Sequence, residues 1–143
     1  MTRMGRITAA LLATASTATL TLASMAMAPM AEAAPHQVKY VISSDRDFLS
    51  QTLVLQNEPP SASAYDSESS KYLVRASTRI APDAPFVVET TLNDPTQWAY
   101  VSASAAAKAV TGAPVFHCEV YVDGALATQA DGETAVTCSL RKW

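Results

Sequence analysis

Val115-Phe-His-Cys-Glu-Val-Tyr-Val-Asp-Gly124 decides the fold. As an extended strand it puts Phe116, Cys118, Val120 and Val122 on one face and His117, Glu119 and Tyr121 on the other. Asp123-Gly124 closes it with the strongest hairpin signal in the chain, so Ala125–Gln129 should pair back upon it. The second cysteine, Cys138, lies in Thr134–Leu140, where Val136, Cys138 and Leu140 share a face opposite Thr137, Ser139 and Arg141. Both cysteines therefore point inward with the apolar set, and His117 points away from Cys118.

The N-terminus fixes the compartment in which those cysteines operate. Arg3 and Arg6 make a short positive start, Ile7 to Ala31 carries no charge, and Ala31-Glu32-Ala33 is a small-x-small cleavage pattern. Residues 1–33 read as a secretory signal peptide cut after Ala33, and residues 34–143 as a single secreted domain. A retained anchor is the alternative, because 25 uncharged residues can span a bilayer. Leucine occurs there only at 11, 12, 20 and 22, so insertion would be marginal. Of 10 basic and 13 acidic residues, Arg3, Arg6 and Glu32 leave with the leader; the remaining 8 and 12 give a net charge of −4. Charges of both signs are scattered without a Lys/Arg cluster, which excludes nucleic acid as an expected partner.

Strand parity and export together set the cysteine chemistry. Adjacent strand residues project to opposite faces, so Cys118 and His117 do not converge on one ion, and two cysteines fall short of the four ligands of a structural zinc site. No metal and no cofactor is expected. An exported chain with an even cysteine count is the usual setting for a disulfide, and Cys118–Cys138 should stabilise the fold by about 3 kcal/mol. If Thr134–Leu140 continued the meander, it would lie about 9.6 Å from Cys118, beyond disulfide reach. The last strand must therefore return beside Val115–Val122 or sit in a facing sheet, with Asp131-Gly132 as its turn.

The upstream chain reads as β. Val38, Tyr40 and Ile42 share one side of a first strand, and Leu49, Leu53 and Leu55 the core face of a second, with Gln51 the exception. Asn57–Ser70, with Pro59-Pro60 and many serines, reads as a long exposed loop. Lys71–Thr78 places Tyr72, Val74 and Ala76 on one face. Phe86–Leu92 turns Phe86, Val88 and Leu92 to the core and Glu89 to water. Asn93-Asp-Pro95 makes a turn, and Trp98–Ser104 resumes β. Ser102–Ala109, rich in helix formers, reads as a strand end followed by a small-residue loop or one helical turn. The expected fold class is all-β: a single Ig-like β-sandwich of about seven strands with one disulfide.

Catalytic signals are weak. A hydrolytic triad needs a histidine with a nucleophile and a carboxylate in reach. His117 beside Glu119 and Tyr121 is the candidate on a regular element, and a solvated strand face accounts for it more simply. His36 falls in an expected loose tail, and no serine sits in a Gly-x-Ser-x-Gly elbow. No catalytic residue is expected, and the chain does not read as an enzyme. The candidate binding surface is Trp98, Tyr100 and Trp143, whose rings can line a groove for a lipid or a partner. The plainer reading makes Trp98 and Tyr100 core residues and Trp143 a frayed end or a cap.

Cys118-x-Val120-x-Val122-Asp123-Gly124, a hairpin return, a Gly-containing turn and Val136-Thr-Cys138 together resemble the C-terminal signature of mycobacterial MmpS-type small membrane proteins. The resemblance spans roughly Trp98 to Leu140, about two fifths of residues 34–143. It implies an extracytoplasmic β-sandwich in an actinobacterial cell envelope, bridged by Cys118–Cys138 and assisting RND-type transporters that export lipids or siderophores. A cleaved leader and the Pro/Ser-rich 57–70 segment depart from that family. The expected function is that of an exported, non-catalytic envelope accessory whose partner is a membrane transporter or other envelope protein. The alternative is a freely secreted carrier of a lipid or small molecule. A cavity between the sheets marks the carrier, and a shallow apolar surface patch marks the partner protein. Convergence of His117 with a carboxylate and a hydroxyl in a cleft marks an enzyme.

Overall fold

Period-two alternation produces eight strands in the computed structural model, which describes residues 33–108 and 112–141. They are β1 (His36–Ser44), β2 (Phe48–Leu55), β3 (Leu73–Ile80), β4 (Phe86–Leu92), β5 (Tyr100–Ala105), β6 (Val115–Val122), β7 (Ala125–Glu133) and β8 (Ala135–Ser139). Antiparallel pairing sorts them into a first sheet, β4-β1-β6-β7, and a second, β3-β2-β5-β8. The all-β, disulfide-bridged sandwich is the fold the chain adopts, with eight strands in place of about seven. The leader, Trp143 and the end of the Ser102–Ala109 run lie outside the described residues.

Val38, Tyr40 and Ile42 of β1 and Phe116, Cys118 and Val120 of β6 are buried, as alternation requires. Cys118 stands on the inner face of the first sheet and Cys138 on that of the second, with their sulfurs bonded and their Cα atoms 6.0 Å apart. The bridge therefore crosses the sandwich. It can do so because β7 passes into β8 with one intervening residue, Thr134, at φ +69°. The Thr134 N–H donates to the Pro114 carbonyl at 2.8 Å, and its own carbonyl accepts from the Ala105 N–H at 2.8 Å. Gly132 is required by space, since a Cβ there would lie 1.9 Å from the Ala135 carbonyl oxygen. At the other end of β7, Asp123 (φ +50°) and Gly124 (φ +82°) form the two-residue hairpin turn.

A second link between the sheets is polar. The Tyr40 hydroxyl donates to the Leu55 carbonyl at 3.0 Å inside the core. Burial pushes the phenol's pKa up, which keeps the hydroxyl a donor.

Two expectations fail upstream. In β2 the inward residues are Ser50, Thr52 and Val54, while Leu49 is exposed and Leu53 half-buried. The polar pair is tolerated because each hydroxyl has a backbone acceptor: Ser50 Oγ donates to Phe48 at 3.1 Å, and Thr52 Oγ1 to Ala76 at 3.4 Å. With Ala103 opposite Thr52, this small face complements the bulky Tyr40 and Phe116 of the other sheet. The leucine stripe belongs instead to the outer face of the second sheet. There its last member, Leu55, is buried and pairs with Leu73.

Asn57–Ser70 is not a plain loop, because it holds α1 (Ala62–Glu68) followed by a 3-10 turn, Ser69–Lys71. Ser61 caps α1 by accepting from the Ala64 N–H at 3.1 Å, and Pro59-Pro60 precede the cap, where proline does no harm. Ser67 donates to the Ser63 carbonyl at 2.7 Å, and Lys71 pairs with Glu68 at 2.6 Å.

Replacing Cys118 and Cys138 together by alanine should lower the free energy of unfolding by about 3 kcal/mol in denaturant titrations. Gly132→Ala should cost about 2 kcal/mol or more, because the atom in the way is backbone. An unchanged midpoint for Gly132→Ala would contradict the corner geometry.

Candidate functional site

The strand register gathers the outward residues of β6 against those of its neighbours. His117 stands opposite Ser43 of β1 and Asp131 of β7, and Tyr121 stands opposite Lys39 and Leu126. Their side chains join in a row. His117 Nδ1 lies 2.7 Å from Asp131 Oδ1, and Nε2 lies 3.2 Å from Glu119 Oε1. The Tyr121 hydroxyl donates to Glu119 Oε2 at 2.7 Å, and Lys39 Nζ sits 4.8 Å from the centre of the Tyr121 ring. A depression of about 280 Å³ beside the row is lined by Gln37, Val38, Lys39, Glu89, Tyr121 and Gly124.

Charge and hydrogen bonding set the protonation of this row. The Asp131 bond, with the Glu119 bond adding to it, raises the His117 pKa above the ordinary imidazole value against partial desolvation. The Tyr121 hydroxyl, then His117, hold Glu119 below the usual carboxylate range, and the same bond raises the Tyr121 phenol. His117 thus meets two carboxylates and, through Glu119, a hydroxyl. Yet the carboxylates bracket the ring from its two nitrogens and leave neither free to accept a nucleophile's proton. The row also lies on an open strand face, where the Asp131 side chain is 72% exposed. Among the described residues, no group of His, Cys, Asp or Glu side chains is arranged to hold a metal ion.

The candidate aromatic residues are placed differently from expectation. Asn93-Asp-Pro95 starts α2 (Pro95–Trp98): Asp94 Oδ1 accepts from Thr96 Oγ1 at 2.6 Å and from the Gln97 N–H at 3.3 Å, with Pro95 in the first turn. Trp98 therefore ends a helix, and β5 begins only at Tyr100. The indole is 4% exposed, with the Tyr65 ring 5.7 Å away and the Arg141 guanidinium 6.0 Å from its centre. Tyr65 also lies 6.5 Å from Tyr72, and Tyr100 is partly buried against the core. Trp98 is packed beside the Tyr65 ring of α1 and Tyr100 against the core.

His36, placed in a loose tail, instead opens β1. Its Nδ1 lies 2.6 Å from Asp123 Oδ2, while the Gln37 N–H donates to Asp123 Oδ1 at 2.9 Å. Asp123, read as a turn former, also ties down the start of the sandwich, and these bonds hold its carboxyl below the usual range. Sequence reasoning missed Asp131 and Lys39. Their partnership depends on register across three strands, for which local pattern carries no signal.

Residues 40–138 match the family described as the Rv2576c beta-sandwich domain. The chain is similar to the uncharacterized protein Rv2576c of Mycobacterium tuberculosis and the uncharacterized protein Mb2606c of Mycobacterium bovis. It is 38% identical to each over 113 residues, which cover 79% of this chain and 71% of the relative. These matches overturn the MmpS-type resemblance: the family they identify is a different one. The C-terminal pattern misled because any strand that buries a cysteine among valines and turns at Asp-Gly reads as Cys-x-Val-x-Val-Asp-Gly.

Tyr65→Ala, made in a Trp143→Phe background, should raise the accessibility of Trp98 to acrylamide and cost about 1 kcal/mol of stability. Unchanged quenching would mean that α1 does not shield the indole.

Proposed function

This chain belongs to the Rv2576c beta-sandwich domain family, and on that footing we propose that it is an exported, non-catalytic protein that binds a macromolecular partner through the outer face of its first sheet. The observation that carries this reading is the filled space between the sheets. Among the described residues Tyr40, Ile42, Phe116, Val120 and both bridged cysteines are at most 2% exposed there, which supports a surface rather than the interior as the place of binding. Binding then falls to a surface. The first sheet's outer face offers Lys39, Tyr121, Glu119, His117 and Asp131 in one row, flanked by exposed Val87 and Leu126.

Export is supported by the leader-like residues 1–33 and by the buried disulfide, which belongs to an oxidising compartment. No helix among the described residues is long and apolar enough to cross a membrane. A non-catalytic role is supported by the engagement of both His117 nitrogens.

Mass spectrometry of the native protein should find it outside the cytoplasm, starting at Ala34 and free of bound lipid. A photo-crosslinker in place of Tyr121 should capture one defined partner in the producing cell, and one in place of Arg75, on the opposite outer face, should not. A stoichiometric lipid, or equal capture from both faces, would overturn the proposal.

A further inference from the structure

The His117 row carries an inference independent of any partner. A neutral imidazole has one N–H and one lone pair, and an ionised carboxylate only accepts. Both ring nitrogens lie within hydrogen-bond distance of carboxylate oxygens, at 2.7 Å and 3.2 Å, and only a doubly protonated ring can donate to both.

We propose that His117 is a proton-controlled clasp joining β7 to β6 just before the chain turns into the second sheet. Asp131 immediately precedes Gly132, and among the described residues β7 is an edge strand whose only ladder is with β6. Loss of the ring proton weakens the cross-strand link in either tautomer. With the remaining hydrogen on Nε2, the Asp131 bond is lost. With it on Nδ1, that bond loses its charge assistance, and the bare Nε2 faces Glu119.

The surrounding charges favour the protonated ring. Glu119 comes from β6 itself, with Tyr121 bonded to it, and Asp131 comes from β7, with Glu133 the next outward residue. β1 contributes uncharged Ser43 opposite the ring and Lys39 at the far end of the row. Asp45, which with His117 and Asp131 lines a second depression at the other end of the row, is paired with Arg46. The ring's pKa is raised above its ordinary value by the Asp131 bond first. A raised folded-state value makes the clasp's contribution complete below the ordinary histidine pKa and lost as pH rises through the raised one.

The test is nitrogen-resolved NMR of the histidine rings with hydrogen exchange of residues 129–133, on protein carrying His36→Gln so that one ring titrates. His117 should carry protons on both nitrogens at low pH and titrate above the ordinary imidazole value. Protection of 129–133, corrected for intrinsic exchange, should fall by up to about tenfold across that titration while β5 and β8 hold theirs. Asp131→Asn should lower the midpoint, and His117→Gln should flatten the exchange profile. A midpoint at or below the ordinary value, or a pH dependence that survives in His117→Gln or is unmoved in Asp131→Asn, would overturn the clasp.

Discussion

Because β1 and β7 already flank β6, a disulfide can join Cys118 to Cys138 only if the last strand leaves that sheet, and the rest of the sandwich follows from that constraint. A strand two places along the same sheet lies about 9.6 Å away, whereas the bonded Cα atoms stand 6.0 Å apart. The chain therefore folds over at one residue. That corner demands a glycine at 132, a left-handed backbone at Thr134, and hydrogen bonds from Thr134 to the two segments flanking the β5–β6 connection. The bridge and the corner are two halves of a single device. One closes the sandwich covalently, and the other brings its ends within reach.

That device determines which surfaces remain for function. Among the described residues the bridge, Tyr40 and Phe116 occupy the interior, and the small inward residues Ser50, Thr52 and Ala103 make room for those bulky groups. On the outer face of the second sheet Leu49 stays exposed and Leu53 half-buried, while Leu55 is buried. Leu55 and Trp98 belong to the buried core, and Leu73 and Tyr65 of α1 pack against that core. Among the described residues no helix lies over the outer face of the first sheet, where His117, Glu119, Tyr121 and Asp131 pair with one another. His117 is central to that face, because it holds two strands together while its protonation sets the charge of the row.

The sequence was most legible where one residue type had one reason to be present. Asp123-Gly124 needed positive φ and announced the hairpin, and the shared parity of Cys118 with Phe116 and Val120 announced a buried bridge. Legibility failed where a residue satisfied itself locally. Ser50 and Thr52 face the core because backbone carbonyls accept their hydroxyl protons, so hydropathy assigned β2 the wrong face. Asp94-Pro95 has the pattern of a turn, yet the same pair starts a helix, and that moves Trp98 off the strand. The His117 row needed the alignment of β1, β6 and β7 as well as the identity of each residue. The C-terminal motif was overread for a related reason: it encodes a bridged hairpin, which unrelated families can share.

The most direct test of the central claim is peptide mapping of the native, unreduced protein after alkylation. The structure requires a linked pair of peptides containing Cys118 and Cys138, with neither thiol alkylated until a reductant is added under unfolding conditions. Alkylation of either cysteine in fresh native material would contradict the bridge, and the account of the sandwich as covalently closed across its two sheets would fall with it.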